Sequence, residues 1–245
     1  MRLEGKTAVV TGGTRGLGFA IAKEFLAEGA SVMCSARMAG DFQLLKEEYP
    51  DRCLFHPADV GDPKSVEQLM AVAVESLHGL DVVVANAGVN RDGRVEHLAP
   101  DDWNTMVTTN LTGTFLCTRA AVPHMRERGG AIINMSSSMS SRIAVGAAGY
   151  SATKAAIEMF TKTSAIELGQ YRIRVNALSP GILDAGMGAR LAENDRVWAA
   201  YRKRFALGRA GQVSEAARAA VFLASDDASY VNGAILEVNG GLMWA

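Results

Sequence analysis

Lys6-Thr7-Ala8-Val9-Val10-Thr11-Gly12-Gly13-Thr14-Arg15-Gly16-Leu17-Gly18 decides the fold. Lys6–Thr11 is a short β-branched run, the pattern of a strand buried on both faces of a parallel sheet. It leads straight into the glycines. From Phe19 to Glu28 the pattern becomes that of an amphipathic helix, closed by Gly29 where the chain can turn left-handed. Strand, glycine-rich turn and helix, in that order, turn a glycine pattern into a nucleotide site. Gly12 permits the tight turn. Gly16 lets a pyrophosphate approach the backbone at the helix N-terminus, and Gly18 lets helix and sheet pack closely. The spacing is G-x-x-x-G-x-G. Glycines also end strands for conformational reasons alone, so the flanking elements carry the argument.

The same alternation continues along the chain. Strand-like runs fall at Lys6–Thr11, Ser31–Ala36, Cys53–His56, Asp81–Ala85, Ala131–Met135, Arg174–Leu178 and Ala234–Val238, with helical patterns between them. Pro63 and Pro100 each stand near an expected helix start, where proline is tolerated. Alternating β and α elements predict an α/β fold, a doubly wound parallel sheet with helices on both faces. No interdomain linker or low-complexity stretch interrupts residues 1–245, so a single domain is expected. Ile182 to Gly211, rich in Ala, Arg and Glu, is the least sheet-like region and reads as one or two amphipathic helices. An ordinary pair of surface helices would have the same composition.

A second constellation lies in Gly149-Tyr150-Ser151-Ala152-Thr153-Lys154. Tyr150 and Lys154 are four apart and share a helix face. A cation there favours the phenolate, so the tyrosine is expected to exchange its proton nearer neutrality than its ordinary value of about 10 allows. Ser136-Ser137-Ser138 lies about one strand and loop upstream, and a serine hydroxyl beside the phenol can hold a carbonyl oxygen. With a hydride donor alongside, the arrangement suits interconversion of a ketone and an alcohol.

Composition is consistent with this and narrows the alternatives. Of 245 residues 49% are hydrophobic, enough for a sizeable core. A net charge of −1 and a pI near 6.4 argue against bulk binding to nucleic acid or anionic membranes. Met1-Arg2-Leu3-Glu4-Gly5-Lys6 lacks the apolar segment of a signal peptide, and no apolar run reaches bilayer-spanning length. Cys34, Cys53 and Cys117 are odd in number and far apart in sequence, so neither a disulfide framework nor a zinc knuckle is implied. A reduced, cytoplasmic setting is the simplest inference. His56, His78, His97 and His124 have no ligand spacing, and no metal is expected.

Thr11-Gly12-x-x-x-Gly16-x-Gly18 together with Tyr150-x-x-x-Lys154 resembles the short-chain dehydrogenase/reductase family, over nearly all of the chain. Asp59-Val60 resembles its adenine-contacting pair. Asn86-Ala87-Gly88, with Ala85 before it, resembles its Asn-Asn-Ala-Gly motif. Asn110 matches the tetrad asparagine, and Ser137, thirteen positions before Tyr150, the serine. Asn176, Pro180 and Gly181 match the segment beside the nicotinamide, and Val238-Asn239-Gly240-Gly241 the C-terminal Val-Asp-Gly-Gly.

The resemblance implies a seven-stranded Rossmann-type sheet in the order 3-2-1-4-5-6-7. It also implies a substrate lid at about 182–211 and a homotetramer built on helices Pro100–Met125 and Tyr150–Gly169. It assigns catalysis to Asn110, Ser137, Tyr150 and Lys154. Cofactor contacts fall to Gly12, Thr14, Arg15, Gly16, Leu17, Gly18, Arg37, Asp59, Val60, Asn86, Ala87, Gly88, Tyr150, Lys154, Pro180, Gly181 and Ile182. In this scheme Lys154 lowers the Tyr150 pKa and holds the ribose, while Asn110 positions a water through its main-chain carbonyl.

The cofactor is read at the end of the second strand. An NAD-specific site places a carboxylate there for the ribose 2′-hydroxyl, which would repel a 2′-phosphate. This chain has Ala36-Arg37, with Arg15 close by, so NADP(H) is expected in preference to NAD(H). After Pro180-Gly181 the family commonly has a threonine for the carboxamide. Ala185 falls at that position, leaving Asp184 or the backbone to substitute. The nearest likeness is to 3-oxoacyl-[acyl-carrier-protein] reductases and polyketide ketoreductases, whose arginines dock an acyl carrier protein. Arg128 falls at one docking position, and Tyr171, beside Arg172, at the other. Dehydrogenases of sugars, polyols or small hydroxy-ketones share the remaining features. A non-catalytic nucleotide-binding regulator would have lost Ser137, Tyr150 or Lys154, and an epimerase or dehydratase usually needs a longer chain.

Overall fold

Seven parallel strands form one sheet in the order β3-β2-β1-β4-β5-β6-β7. They are β1 (Thr7–Thr11), β2 (Ser31–Ala36), β3 (Cys53–Pro57), β4 (Val82–Ala85), β5 (Gly130–Met135), β6 (Ile173–Pro180) and β7 (Ile235–Val238). The computed structural model describes residues 1–185, 198–199 and 202–242. The helices are α1 (Gly16–Ala27), α2 (Phe42–Glu48), α3 (Pro63–Leu77), α4 (Pro100–Met106), α5 (Gly113–Met125), α6 (Ala148–Leu168) and α7 (Val213–Ala224). This is the expected doubly wound order, and strand positions agree with the β-branched runs to within a few residues.

Both faces of the sheet are covered, which explains why the strands read as continuous apolar runs. Ala8 and Val10 of β1 point to one side, where Ile21, Phe25 and Leu26 of α1 meet Ala217, Ala220 and Val221 of α7. Val9 points to the other, against Leu69 and Met70 of α3 and Leu116 and Met125 of α5. Each fully buried Leu, Phe or Met contributes about 1.5–3 kcal/mol.

Helix ends follow local chemistry. Asp62 accepts from the Lys64 and Ser65 amides at the start of α3, and Pro63 occupies its first turn. Pro100 does the same for α4. Gly29 has φ +95, as a left-handed helix terminator should. Cys34 and Cys53 lie on the paired strands β2 and β3, and all three cysteines are free and buried. Of the expected lid at 182–211, residues 186–197, 200 and 201 lie outside the described residues, Met187 among them. Trp198 packs on Phe205 with ring centroids 6.3 Å apart.

Candidate active site

Because the strands are parallel, every loop that follows a strand opens at one edge of the sheet. Those loops carry Gly12–Arg15, Arg37, Asp59-Val60, Asn86–Gly88, Ser136–Ser138 and Gly181. The order reverses between β1 and β4, and a ligand crevice is expected outside the strand ends at such a switch point.

The glycine-rich turn fills this crevice with backbone. Asn86 ties its two sides together: its Nδ2 donates to the Thr11 carbonyl at 2.9 Å, and its backbone N–H donates to Thr11 Oγ1 at 3.0 Å. A methyl group at Gly18 would overlap the Gly12 carbonyl and the Asn86 amide. Gly16 differs. It has φ +54, and a Cβ there would meet nothing within 4 Å, so it borders open space. α1 begins at Gly16, three residues before the amphipathic pattern, and Arg15 at its N-cap gives no side-chain cap. The first-turn N–H groups are therefore available to an anion. This cradle fits a nucleotide pyrophosphate.

Thr14 is buried and structural, its Oγ1 donating to the Met38 carbonyl at 3.3 Å. That bond, with the Asp41 amide donating to the Thr14 carbonyl at 3.0 Å, brings the loop that carries Arg37 against the turn that carries Arg15. Both arginines are exposed, and among the described residues neither forms an ion pair with a carboxylate. Asp59 turns its carboxylate back to the Gly61 amide at 2.9 Å, while Val60 packs beside Gly113.

α6 presents Tyr150 and Lys154 on one face, with Lys154 Nζ 5.5 Å from the Tyr150 ring centroid. Lys154 is 4% exposed. Its ammonium donates to the Met135 carbonyl at 2.7 Å, and burial pushes its pKa down to about 8. The electrostatics of Tyr150 differ from the expected depression. Burial raises its pKa, and the opposing influence is a hydrogen bond with the Ser137 side chain. Desolvation thus outweighs stabilisation of the phenolate here.

The three serines separate by role. Ser137 caps the turn Ser138–Ser140, accepting from the Met139 amide at 3.2 Å, and is the one bonded to Tyr150. Ser138 donates to the Pro180 carbonyl at 3.1 Å. Ser136 donates to Glu158 Oε1 at 2.8 Å.

Asn110 lies in a π-helical turn, Val107–Thr112, joining α4 to α5. Such turns recur at functional sites. It is 1% exposed. Its Oδ1 accepts from the Val89 amide at 2.8 Å, and its Nδ2 donates to the Val89 carbonyl at 2.9 Å. The side chain thereby fixes the loop running from Asn86 through Ala87 and Gly88. A Cβ at Gly88 would lie 3.3 Å from Asn110 Oδ1 and 3.8 Å from Lys154 Nζ. The main-chain carbonyl of Asn110 accepts from Thr114 Oγ1 at 2.7 Å.

Several expected contacts have other work. Asn176 holds the segment before β7, donating to the Val231 carbonyl at 2.8 Å and accepting from the Ala234 amide at 2.9 Å. Asp184 Oδ1 accepts from the Val213 amide at the start of α7 at 2.9 Å. Gly181 donates to the Val238 carbonyl and Ile182 accepts from Gly211. Arg128, Tyr171 and Arg172 precede β5 and β6, at the opposite edge of the sheet from Tyr150. Arg128 and Arg172 line a cleft there with Lys6, Asp81, Arg174 and Asp226. Family motifs do not single out Glu158. Its sequence signal is the spacing of four from Lys154, which continues the Tyr150 face.

The chain matches the family described as enoyl-(acyl carrier protein) reductase over residues 12–243. It is 38% identical over 246 residues, 98% of each chain, to the 3-oxoacyl-[acyl-carrier-protein] reductase of Chlamydia trachomatis serovar D. It is 40% identical over 247 residues, again 98% of each, to a 3alpha-hydroxysteroid dehydrogenase of Mediterraneibacter gnavus. A solved gluconate 5-dehydrogenase from Burkholderia cenocepacia J2315, in complex with NADP and tartrate, superposes with a TM-score of 0.93 at 33% identity, covering 98% of this chain and 96% of that one.

Proposed function

The chain belongs to the short-chain dehydrogenase/reductase family, and we propose that it is an NADP(H)-dependent ketoreductase acting on 3-oxoacyl thioesters or similar polyketide-type ketones. It is an oxidoreductase of CH–OH and C=O groups. The observation that carries the reading is Tyr150 and Lys154 on one face of α6, with Lys154 Nζ 5.5 Å from the ring centroid, and the Ser137 side chain turned to the phenol. A bound NADPH supplies the hydride. Ser137 holds the carbonyl oxygen and Tyr150 protonates it as charge develops. Lys154, held by the Met135 carbonyl, would bind the ribose hydroxyls of the cofactor. Asn110 keeps the loop over Lys154 in place, a role supported by its paired bonds to Val89.

NADP preference is supported by Arg15 and Arg37, exposed and without a carboxylate partner among the described residues. A substrate with an apolar chain is supported by Val95, Ile143 and Val145, which stand 75–82% exposed on two loops joined by the Gly93 to Gly146 backbone bond. Docking of an acyl carrier at Arg128 and Arg172 would occur at the far edge of the sheet from the same chain's Tyr150. A carrier bound there would have to serve another subunit's site. Likeness to the gluconate enzyme favours a second reading, a sugar or polyol dehydrogenase. A homotetramer is supported by Phe115, Met159 and Ile166, exposed on α5 and α6; light scattering tests it. A cytoplasmic setting is supported by the free, buried cysteines. Among the described residues no helix is long and apolar enough to cross a membrane.

The test is NADPH oxidation with an acetoacetyl thioester, a steroid ketone and a panel of sugar and polyol ketones. Fastest turnover of the thioester is expected. Preference for the polyol panel replaces the substrate assignment. Tight NADPH binding without turnover of any ketone returns the regulator reading.

A further inference from the structure

We propose that Glu158 is a positioning residue for carbonyl reduction, bracing the loop that carries Ser137 against the helix that carries Tyr150. The proposal rests on the roles given to those two residues above. Tyr150, Lys154 and Glu158 follow one another at intervals of four on α6, so all three occupy one stripe facing the loop after β5. Glu158 Oε1 accepts from Ser136 Oγ at 2.8 Å and from Ser140 Oγ at 2.5 Å. These serines stand one residue before and three residues after Ser137. A single half-buried carboxylate oxygen therefore clasps the loop on both sides of the catalytic hydroxyl. Ser138 holds the far side of the loop to Pro180, and Ser136 has a second, longer partner in the Lys154 carbonyl at 3.3 Å.

The chemistry suits a clasp. An ionised carboxylate only accepts, so both serines must donate to it, which fixes their rotamers. Charge-assisted bonds of this length are stronger than those between neutral groups. The clasp does not touch the reacting atoms. What it sets is the reach from Ser137 to Tyr150, two hydroxyls on different elements that must address one oxygen. A small misplacement of such groups costs up to about a hundredfold in rate.

Glu158→Ala removes the clasp, and Glu158→Gln keeps an oxygen with two lone pairs at the same reach. For Glu158→Ala, kcat for ketone reduction is expected to fall about ten- to a hundredfold, while the NADPH dissociation constant stays within about twofold. Glu158→Gln is expected to restore kcat to within about threefold. The phenolate of Tyr150, followed by ultraviolet difference titration with Tyr150→Phe as the blank, is expected to appear at higher pH in Glu158→Ala, since the Ser137 bond that favours it weakens. A loss of packing alone would lower the melting temperature and leave the titration and the Gln rescue unexplained. Wild-type kcat in Glu158→Ala, or a Gln variant as slow as the Ala variant, overturns the proposal. If Glu158→Ala does not fold, Ser140→Ala deletes one of the two bonds; a smaller fall in kcat is expected, and an unchanged kcat overturns the proposal. If the wild type reduces no ketone, the functional reading has failed separately, and an unmoved Tyr150 titration in the variant then overturns the clasp on its own.

Discussion

The turn after β1 and the loop after β5 lie at the same edge of one sheet and achieve order by opposite means. The turn works by leaving atoms out. Gly18 lies against the Gly12 carbonyl and the Asn86 amide with no room for a methyl group, and Gly16 opens onto space. The loop works by burying polar atoms and pairing them: Ser136 and Ser140 with Glu158, Ser138 with Pro180, Ser137 with Tyr150. A cradle for a phosphate needs backbone N–H groups to come close. A proton-transfer site needs side chains held at set distances in a low-dielectric place. The first region should therefore fail when atoms are added, and the second when they are removed.

The largest effect is expected in the second region. Tyr150→Phe deletes one oxygen and should lower kcat by at least about a thousandfold, within the range for loss of a general acid. NADPH binding, measured by fluorescence titration, should stay nearly unchanged, because the cradle is separate. Substantial residual turnover would remove the tyrosine from the acid role. Lys154→Met comes next, and its readout is stability against pH. The folded pKa near 8 lies below the ordinary 10.5, so between these values the unfolded chain binds more protons than the folded one. Wild-type stability therefore rises with pH from about 8 to 10, recovering up to about 3 kcal/mol of burial cost. The methionine variant lacks this rise. It also leaves the Met135 carbonyl unpaired, which costs about 1–3 kcal/mol at every pH. Parallel urea midpoints for the two proteins across pH 8–10 would mean the lysine is not desolvated.

In the first region the comparison sharpens into a pair of added methyls. Gly18→Ala meets backbone and should destabilise by about 1–3 kcal/mol, with NADPH binding weakened because the turn must shift. Gly16→Ala meets nothing, and its cost is the left-handed φ alone, about 1 kcal/mol. Equal melting temperatures for the two variants would contradict the close packing at Gly18.

How much of this is legible in the chain follows from the range of the interactions. β1 is readable because Thr7–Thr11 is β-branched and ends in glycine, a local signal. β6 runs on to Pro180, two residues past the apolar run, because its pairing with β7 continues there. The spacing from Lys154 to Tyr150 gives their shared face, since helix geometry is local. The net shift of the Tyr150 pKa is not local: it depends on how deeply α6 is buried, and burial reverses the direction expected from the pair alone. The same holds for Asp184, whose contact with the Val213 amide joins residues far apart in the chain. The resemblance puts Arg128 at one docking position and Tyr171, beside Arg172, at the other. A parallel sheet puts the residues before its strands at the edge away from those after them. Glu158 has the right spacing on α6, and only the fold of Ser136–Ser140 gives it partners.

The smallest effect expected concerns the rim of the cradle, where the two principles meet. Arg15 and Arg37 are side chains added to a region that otherwise depends on their absence, and both are exposed. Ala36 leaves no carboxylate at the end of β2 to oppose a 2′-phosphate. An exposed cation facing a dianion is screened by salt, so each is worth about 1 kcal/mol and not several. Arg37→Ala should raise the Michaelis constant for NADPH by about five- to tenfold and leave that for NADH within about twofold. The ratio between cofactors carries the information, because a general loosening of the turn would move both constants together. Raising the salt concentration should reproduce part of the arginine deletion for NADPH alone. Wild-type protein that uses NADH as well as NADPH would mean that the two guanidinium groups face solvent and the open space at Gly16 receives a nucleotide without a 2′-phosphate.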